Sequence, residues 1–309
     1  MTSIDSPDAD VGGEGVRPSV SRRTVVGGLA ALVAGVVLVA KLRLERSRAR
    51  LVEELLGAAD ARSERAFTRD DVEGLPAPVR RYFDTVLEEG QPYVRTVRLE
   101  QRGQFRLGDA DAPWRTLEAT QHYTVDPPGF VWDATIAMAP FVPVRVVDQY
   151  RDGEGSLRAR LLSAVTVAEA EPSPETNAGE LMRYLAESVW FPTALLPAEG
   201  VEWESIDGRS ARATLDHDGT TVSLVFHFDD RNTVERVVAE DRYRRVDGGF
   251  EPTRWTGYFR NYRRRNGMFV PVDAEVEWNL PDGNLPYWRA RITALDHGPV
   301  DWSGRYRSS

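Results

Sequence analysis

Tyr93-Val94-Arg95-Thr96-Val97-Arg98-Leu99-Glu100-Gln101-Arg102-Gly103-Gln104-Phe105-Arg106-Leu107 alternates in character along its whole length. The odd positions are mostly apolar, with Arg95 and Gln101 as the exceptions, whereas Thr96, Arg98, Glu100, Arg102, Gln104 and Arg106 hold the even ones. Successive side chains of a strand point to opposite faces, so a period of two predicts a strand with one buried face and one wet face. The same alternation recurs over 221–228 and 272–280. Further strands are expected over 114–125, 130–138, 145–151, 157–168, 201–206, 211–216, 234–246, 253–262 and 287–295.

Between these segments stand turn formers: Gly108-Asp109, Asp152-Gly153, Asp207-Gly208, Asp218-Gly219, Asp247-Gly248-Gly249, Asn266-Gly267 and Asp282-Gly283. Short turns join neighbours antiparallel, so the pattern predicts a meander. About eleven or twelve strands in one open sheet would tend to curl. The expected class is therefore mainly β (α+β): a large curved antiparallel meander sheet, half-barrel or barrel, whose concave apolar face needs a covering helix.

One segment supplies that helix. Arg183-Tyr184-Leu185-Ala186-Glu187-Ser188-Val189-Trp190-Phe191-Pro192-Thr193-Ala194-Leu195-Leu196-Pro197 is the strong helical pattern among the strands, and a lid helix is expected over 178–190. Asn177 with Glu180 three residues later reads as a capping box, and Pro192 as the stop. Leu181, Tyr184, Leu185 and Ser188 share one face; Arg183, Glu187 and Trp190 share the opposite one. Leu195 and Leu196 follow in a proline-bounded loop that must be covered.

Upstream, 1–20 is polar, glycine-rich and acidic and is expected to be a disordered tail. Residues 25–40 are uncharged Val, Gly, Leu and Ala, flanked by Arg22-Arg23 and by Lys41, Arg43, Arg46, Arg48 and Arg50. A helix of about 24 Å is slightly short of the ~30 Å hydrocarbon core, so 21–40 is expected to anchor with help from snorkelling flanks. Ser21-Arg22-Arg23-Thr24-Val25-Val26 is similar to a twin-arginine export signal, whereas the cations after the apolar run argue for retention inside. The specific Ser-Arg-Arg context favours export, giving a single-pass membrane protein with its main domain, 71–309, outside the cytoplasm. Residues 41–70 read as a helical stalk and linker, helical over 41–56 with a partial stripe of Leu44, Leu51, Leu55 and Leu56. Over 76–89, Val79, Tyr82, Phe83, Val86 and Leu87 recur at helical spacing, an amphipathic helix that must dock on the sheet.

Composition narrows the function. The 309 residues, 41% hydrophobic, can bury a full core, and the net charge of -9 argues against a nucleic-acid partner. With no cysteine there is no disulfide, thiolate metal site or cysteine nucleophile. His122, His217, His227 and His297 lack metal-ligand spacing, and no phosphate loop, dinucleotide fingerprint or nucleophile elbow occurs, so neither metal nor cofactor is expected.

Leu75-Pro76-Ala77-Pro78-Val79-Arg80-Arg81-Tyr82, Phe105-Arg106, Phe130-Val131-Trp132-Asp133-Ala134, Asp148-Gln149-Tyr150 and above all 183–196 resemble the DUF6544 group of uncharacterised bacterial and archaeal proteins. The resemblance spans roughly 75–297. It implies membrane anchoring and brings no established activity or catalytic residues. In outline, a meander sheet with one covering helix is also similar to lipoprotein-carrier folds that hold acyl chains, a likeness of fold alone.

Three functions follow as expectations. The first is a lipid or other apolar ligand held under the 183–197 lid by Arg183, Glu187, Trp190, Phe191, Leu195 and Trp132. The second is a hydrolase using Glu187 with Asp133 or Asp148, since two carboxyls in different environments divide acid and base roles. The third is an extracytoplasmic interaction scaffold.

Overall fold

The computed structural model of the chain describes residues 22–59 and 65–298, and of residues 22–34, 36 and 37 it describes the backbone alone. The tail expected over 1–20 lies outside the described residues, as do 60–64 and 299–309. Three helices, α1 (Arg22–Ala58), α2 (Ala77–Val86) and α3 (Pro174–Glu187), accompany strands β1 (Thr96–Arg106), β2 (Trp114–Thr124), β3 (Gly129–Ala139), β4 (Val142–Arg151), β5 (Glu154–Leu161) and β6 (Val165–Ala170). After α3 come β7 (Val201–Asp207), β8 (Ser210–His217), β9 (Thr220–Phe228), β10 (Val234–Val246), β11 (Gly249–Arg265), β12 (Met268–Leu280) and β13 (Gly283–His297).

All thirteen strands form one antiparallel sheet in the order β6-β5-β4-β3-β2-β1-β13-β12-β11-β10-β9-β8-β7. The alternation therefore located the strands, with one correction. The single strand expected over 157–168 is two, β5 and β6, reversed at Leu162 and Ser163 with φ of 50° and 64°. Neither residue is the glycine, asparagine or aspartate that usually marks a left-handed turn, so the break had no local signature.

The order has a consequence for the helix. β6 and β7, consecutive in the chain, lie at opposite edges of the sheet, and the segment from α3 through three short 3₁₀ turns to Glu199 crosses from one to the other. The ladder stays open, and β1 and β13 close the middle of the sheet by pairing the start of the first meander with the end of the second. Register shifts leave an extra residue in β13 opposite β1 (Thr293) and opposite β12 (Tyr287), and in β10 opposite β11 between Ala239 and Arg242; as bulges do, they bend β13 and β10 and help to curl the sheet. At Gly103 a Cβ would come within 2.1 Å of the Arg289 carbonyl oxygen, so β13 can approach β1 this closely only at glycine.

Helix α3 starts earlier than expected. Its N-cap is Ser173, whose Oγ accepts from the Thr176 amide at 3.1 Å, with Pro174 in the first turn. Asn177, expected as the cap, instead accepts from the Gly155 amide of β5 at 2.8 Å and ties the helix to the sheet. The following turns are core: Val189, Phe191, Leu195 and Leu196 are all fully buried. The apolar half of the segment expected as plug or lid is thus part of the core, because the 3₁₀ turns sink its side chains into the sheet. Helix α2 buries Val79, Tyr82, Phe83 and Val86 completely and closes one end of the core.

Helix α1 is a single element over the residues expected as anchor and over the stalk as far as Ala58; the helix expected on to 70 does not continue there, since Ala66 bridges to Pro92 and Arg69–Val72 is a short 3₁₀ turn. Leu44 and Leu55 pack with Val131 and Val147 on the convex face of the sheet, supported by Leu51 and Val52. The stalk is thus docked from Leu44 onward, since its leucine stripe meets the outward apolar side chains of β3 and β4. Among the described residues no helix is long and apolar enough to cross a membrane. The side chains that would decide this over 25–40 lie mostly outside them.

Candidate functional site

A cavity of about 650 Å³ lies between α3 and the concave face of the sheet. Its walls come from alternate positions of the strands, the inward parity of each: Trp132, Ile136 and Met138 of β3, Val144 and Val146 of β4, Leu157, Ala159 and Leu161 of β5. Trp255, Phe259, Tyr287 and Trp288 face them from β11 and β13. The lining is apolar apart from one group of charged residues: Asp148, Glu180, Arg183, Glu187 and Arg242.

Arg183 organises that group. Its Nη1 donates to Asp148 Oδ2 at 2.6 Å and its Nε donates to Glu187 Oε1 at 2.9 Å. The guanidinium also lies over the rings of Phe130 and Trp132, 4.8 and 5.0 Å from their centroids, where the ring quadrupoles favour a cation. Glu187 Oε2 accepts from Gln121 Nε2 at 2.8 Å and from the Tyr123 hydroxyl at 2.9 Å. Gln121 Oε1 in turn accepts from Gln101 Nε2 at 3.3 Å, and Gln101 Oε1 accepts from Trp132 Nε1 at 3.0 Å. A continuous chain of polar contacts therefore links β3, β1, β2 and α3 across an otherwise apolar interior, which fixes one arrangement of the wall.

Arg242 stands at the other side of the helix. It donates from Nη2 to the Gly179 carbonyl at 3.1 Å and stacks over Trp255 at 4.8 Å. Burial pushes the Asp148 carboxyl up to about 6 against the opposing pull of Arg183. Burial likewise pushes Glu180 up to about 8, and the neighbouring Asp148 carboxyl adds to the shift. Near neutral pH Glu180 is therefore predominantly the neutral acid. Asp148 Oδ1, Glu180 Oε2 and Trp190 Nε1 are buried polar atoms with no protein partner, and all three belong to residues of the cavity wall.

Of the residues expected from sequence, Trp132, Asp148, Arg183, Glu187 and Trp190 line this cavity. Phe191 and Leu195 do not. Phe191 packs 4.8 Å from Tyr123 and 5.9 Å from Tyr184 in the core, and Leu195 is fully buried, its carbonyl accepting from Trp203 Nε1 at 2.9 Å. The 3₁₀ turns after Glu187 rotate these two away from the face that Trp190 continues. Asp133 is also misplaced by the hydrolase expectation. It lies on the convex face and pairs with Arg48 of α1, because neighbours on a strand point opposite ways and Trp132 takes the inward direction. Burial raises its carboxyl above the ordinary range despite Arg48. Glu187 and Asp133 cannot act on one substrate atom from opposite faces of a sheet.

Sequence reasoning missed Glu180, Arg242, Gln101, Gln121 and Tyr123 as site residues. The signal for Gln101 and Gln121 was present, since each is a polar side chain at an inward strand position. Among the described residues no group of three or more His, Asp and Glu side chains could hold a metal ion.

The profile described as "Family of unknown function (DUF6544)" matches residues 65–290. No curated protein matches the sequence. Among solved structures the chain is similar to a Vibrio parahaemolyticus domain named for outer membrane lipoprotein sorting, with 12% identity and a TM-score of 0.39, covering 71% of this chain and 90% of that one. It is also similar to a LolA superfamily protein from Nitrosomonas europaea, with 9% identity and a TM-score of 0.32, covering 69% and 90%. A third likeness, to a beta-barrel-like DUF1849 protein from Brucella abortus, has 13% identity and a TM-score of 0.22, covering 66% and 99%.

Proposed function

The chain belongs to the DUF6544 family, whose function is unknown, and from that premise we propose that it binds a lipid or other apolar small molecule in the cavity beside α3. In this reading the N-terminal helix holds the protein at a membrane and the β-rich domain lies outside the cytoplasm. One observation carries the binding reading: a cavity of about 650 Å³, walled by aliphatic and aromatic side chains with a single charged group set into it. Small-molecule sites have this form, ~300–1,000 Å³ of apolar wall with a few polar anchors. The unpartnered Asp148 Oδ1, Glu180 Oε2 and Trp190 Nε1 supply those anchors. Buried polar groups without partners are costly, so a ligand with an apolar body and a hydrogen-bonding end is favoured over a pure hydrocarbon.

The test is native mass spectrometry of the full chain released from its host membrane in mild detergent, followed by organic extraction. A stoichiometric amphiphile supports the proposal and names its class. Recovery of folded protein that neither carries a lipid nor takes one up from added fatty acid or phospholipid would refute it.

A further inference from the structure

The cavity has a definite open end. Of its lining side chains, Leu107, Val167 and Ala168 are the ones exposed to solvent. Leu107 follows the last residue of β1, and Val167 and Ala168 lie in β6 just after the β5–β6 turn. Strands β1, β3 and β5 finish at this end while β2, β4 and β6 begin there, as their antiparallel registers require. Two more large apolar side chains stand on the same rim: Phe141 at the tip of the β3–β4 hairpin, 97% exposed, and Val165 at the start of β6, 60% exposed. Apolar groups gathered around one opening are costly in water and mark a contact surface.

The direction of α1 identifies what the rim meets. Near its C-terminus, Glu54 bonds Arg151 at 2.5 Å, and a Cβ on Gly129 would touch Leu55, so this part of α1 lies at the far end of β3 and β4. Seven residues earlier Arg48 pairs with Asp133, four residues along β3 toward the rim. Leu44 and Ser47 lie with Arg145 about a common groove. Traced from Ala58 back toward Arg22, the helix thus climbs the convex face and leaves it near Leu44, heading past the cavity mouth. Leu38, Val39 and Leu42 are exposed there.

The lengths agree. Phe141 stands four strand residues beyond Arg145, about 13 Å, which corresponds to about nine helical residues beyond Leu44. That level falls about five residues, or ~7 Å, inside the apolar run over 25–40, within the ~5–10 Å by which interfacial apolar groups enter a bilayer.

We propose that α1 holds the open end of the cavity against the membrane surface, with Leu107, Phe141, Val165 and Val167 seated at the boundary between headgroups and acyl chains. A ligand then passes between bilayer and cavity without crossing water; this use rests on the binding reading above, whereas the orientation stands on the helix and the rim alone. The contact is made by apolar insertion. The rim loop between β1 and β2 carries Asp109 and Asp111, which anionic headgroups would repel, so a zwitterionic bilayer suffices, while exposed Lys41 and Arg43 on α1 sit at headgroup level.

The absence of cysteine allows a direct test. Phe141→Cys and Val165→Cys, each labelled with an environment-sensitive fluorophore, are reconstituted as full chains in phosphatidylcholine vesicles with or without a lipid bearing a shallow spin-label quencher. Arg263→Cys, exposed near the β11–β12 turn at the opposite end of the sheet, is the reference. The expected result is a blue shift and loss of most fluorescence at 141 and 165, with little change at 263. Unquenched rim labels on membrane-bound protein, quenching at 263 instead, or label-to-label quenching between copies without vesicles would overturn the proposal. Lipid content measured on the same samples separates the two readings. Rim quenching without cavity lipid retains the orientation and removes the binding function; cavity lipid without rim quenching does the reverse.

Discussion

Arg183 on α3 and Asp148 on β4 meet at 2.6 Å in the cavity wall, and the same guanidinium reaches Glu187 at 2.9 Å. One buried cation therefore compensates two carboxylates from different elements, joining the crossing helix to the first meander. Removing it takes from Asp148 its hydrogen-bonded cation and leaves Glu187 with only the neutral donors Gln121 and Tyr123. Arg183→Met should cost about 3–5 kcal/mol of unfolding free energy at neutral pH, the usual consequence of leaving buried charge unpaired. Glu187→Gln should cost less, about 1–3 kcal/mol, because Gln121 and Tyr123 still find an amide oxygen. Urea titration of both variants checks the order; a near-wild-type Glu187→Gln that has lost a measurable turnover would instead revive a catalytic role for this carboxyl.

The acids of the cluster also set a pH dependence. Asp148 and Glu180 have folded-state values of about 6 and about 8, above those of an unfolded chain. Between the unfolded and folded values the native state binds more protons than the unfolded state. Stability from these groups is thus fully present below pH ~4 and declines as pH rises toward ~8, by at most about 1.4 kcal/mol per pH unit per proton. The measurement is the melting temperature from pH 5 to 9 with and without Glu180→Gln. The substitution should flatten the upper part of this decline and stabilise the protein at pH 8, and an unchanged slope would exclude Glu180 as its source.

Ala159 lies on β5 among the cavity-lining residues and is 7% exposed. Ala159→Trp should fill part of the space while leaving α3 in place. Affinity for a fluorescent fatty acid should fall at least ~10-fold, a loss of about 1.4 kcal/mol, with the circular dichroism spectrum retained. Ile136→Ala, which enlarges the same wall, serves as the opposite control and should retain binding.

On the convex side, Leu55→Asp places a charge between α1 and the sheet, where Leu55 is 1% exposed. Residues 44–58 should detach, making Arg48 accessible to trypsin, while the cavity, on the other face, should keep its capacity to take up fatty acid added in detergent solution. Asp133→Asn should act in the same direction more weakly. Loss of that uptake in either variant would show that the two faces are coupled.

The sequence by itself determined the class of the fold and nearly every strand, because side-chain alternation and turn-forming dipeptides are local properties that the chain carries wherever it goes. It also marked the helix that organises the interior, expected over 178–190 and found as Pro174–Glu187 with a 3₁₀ turn at Ser188–Trp190, through Arg183, Glu187 and Trp190 on one face. It misjudged Asn177, whose side chain is committed to β5, and the Leu162-Ser163 turn, which lacks a turn former. Only the tertiary structure decided which strand face is enclosed. On β3 and β4 both faces are apolar, since α1 covers Val131 and Val147 outside while the cavity takes Trp132 and Val146 inside. Parity alone shows that Trp132 and Asp133 must part company, but not which of them turns inward. That choice, and with it the meeting of Asp148, Glu180, Arg183, Glu187 and Arg242 from three separate elements, depends on the direction in which thirteen strands curl and on a helix that joins their two distant edges. Those are long-range relationships, set by packing rather than by any local run of residues.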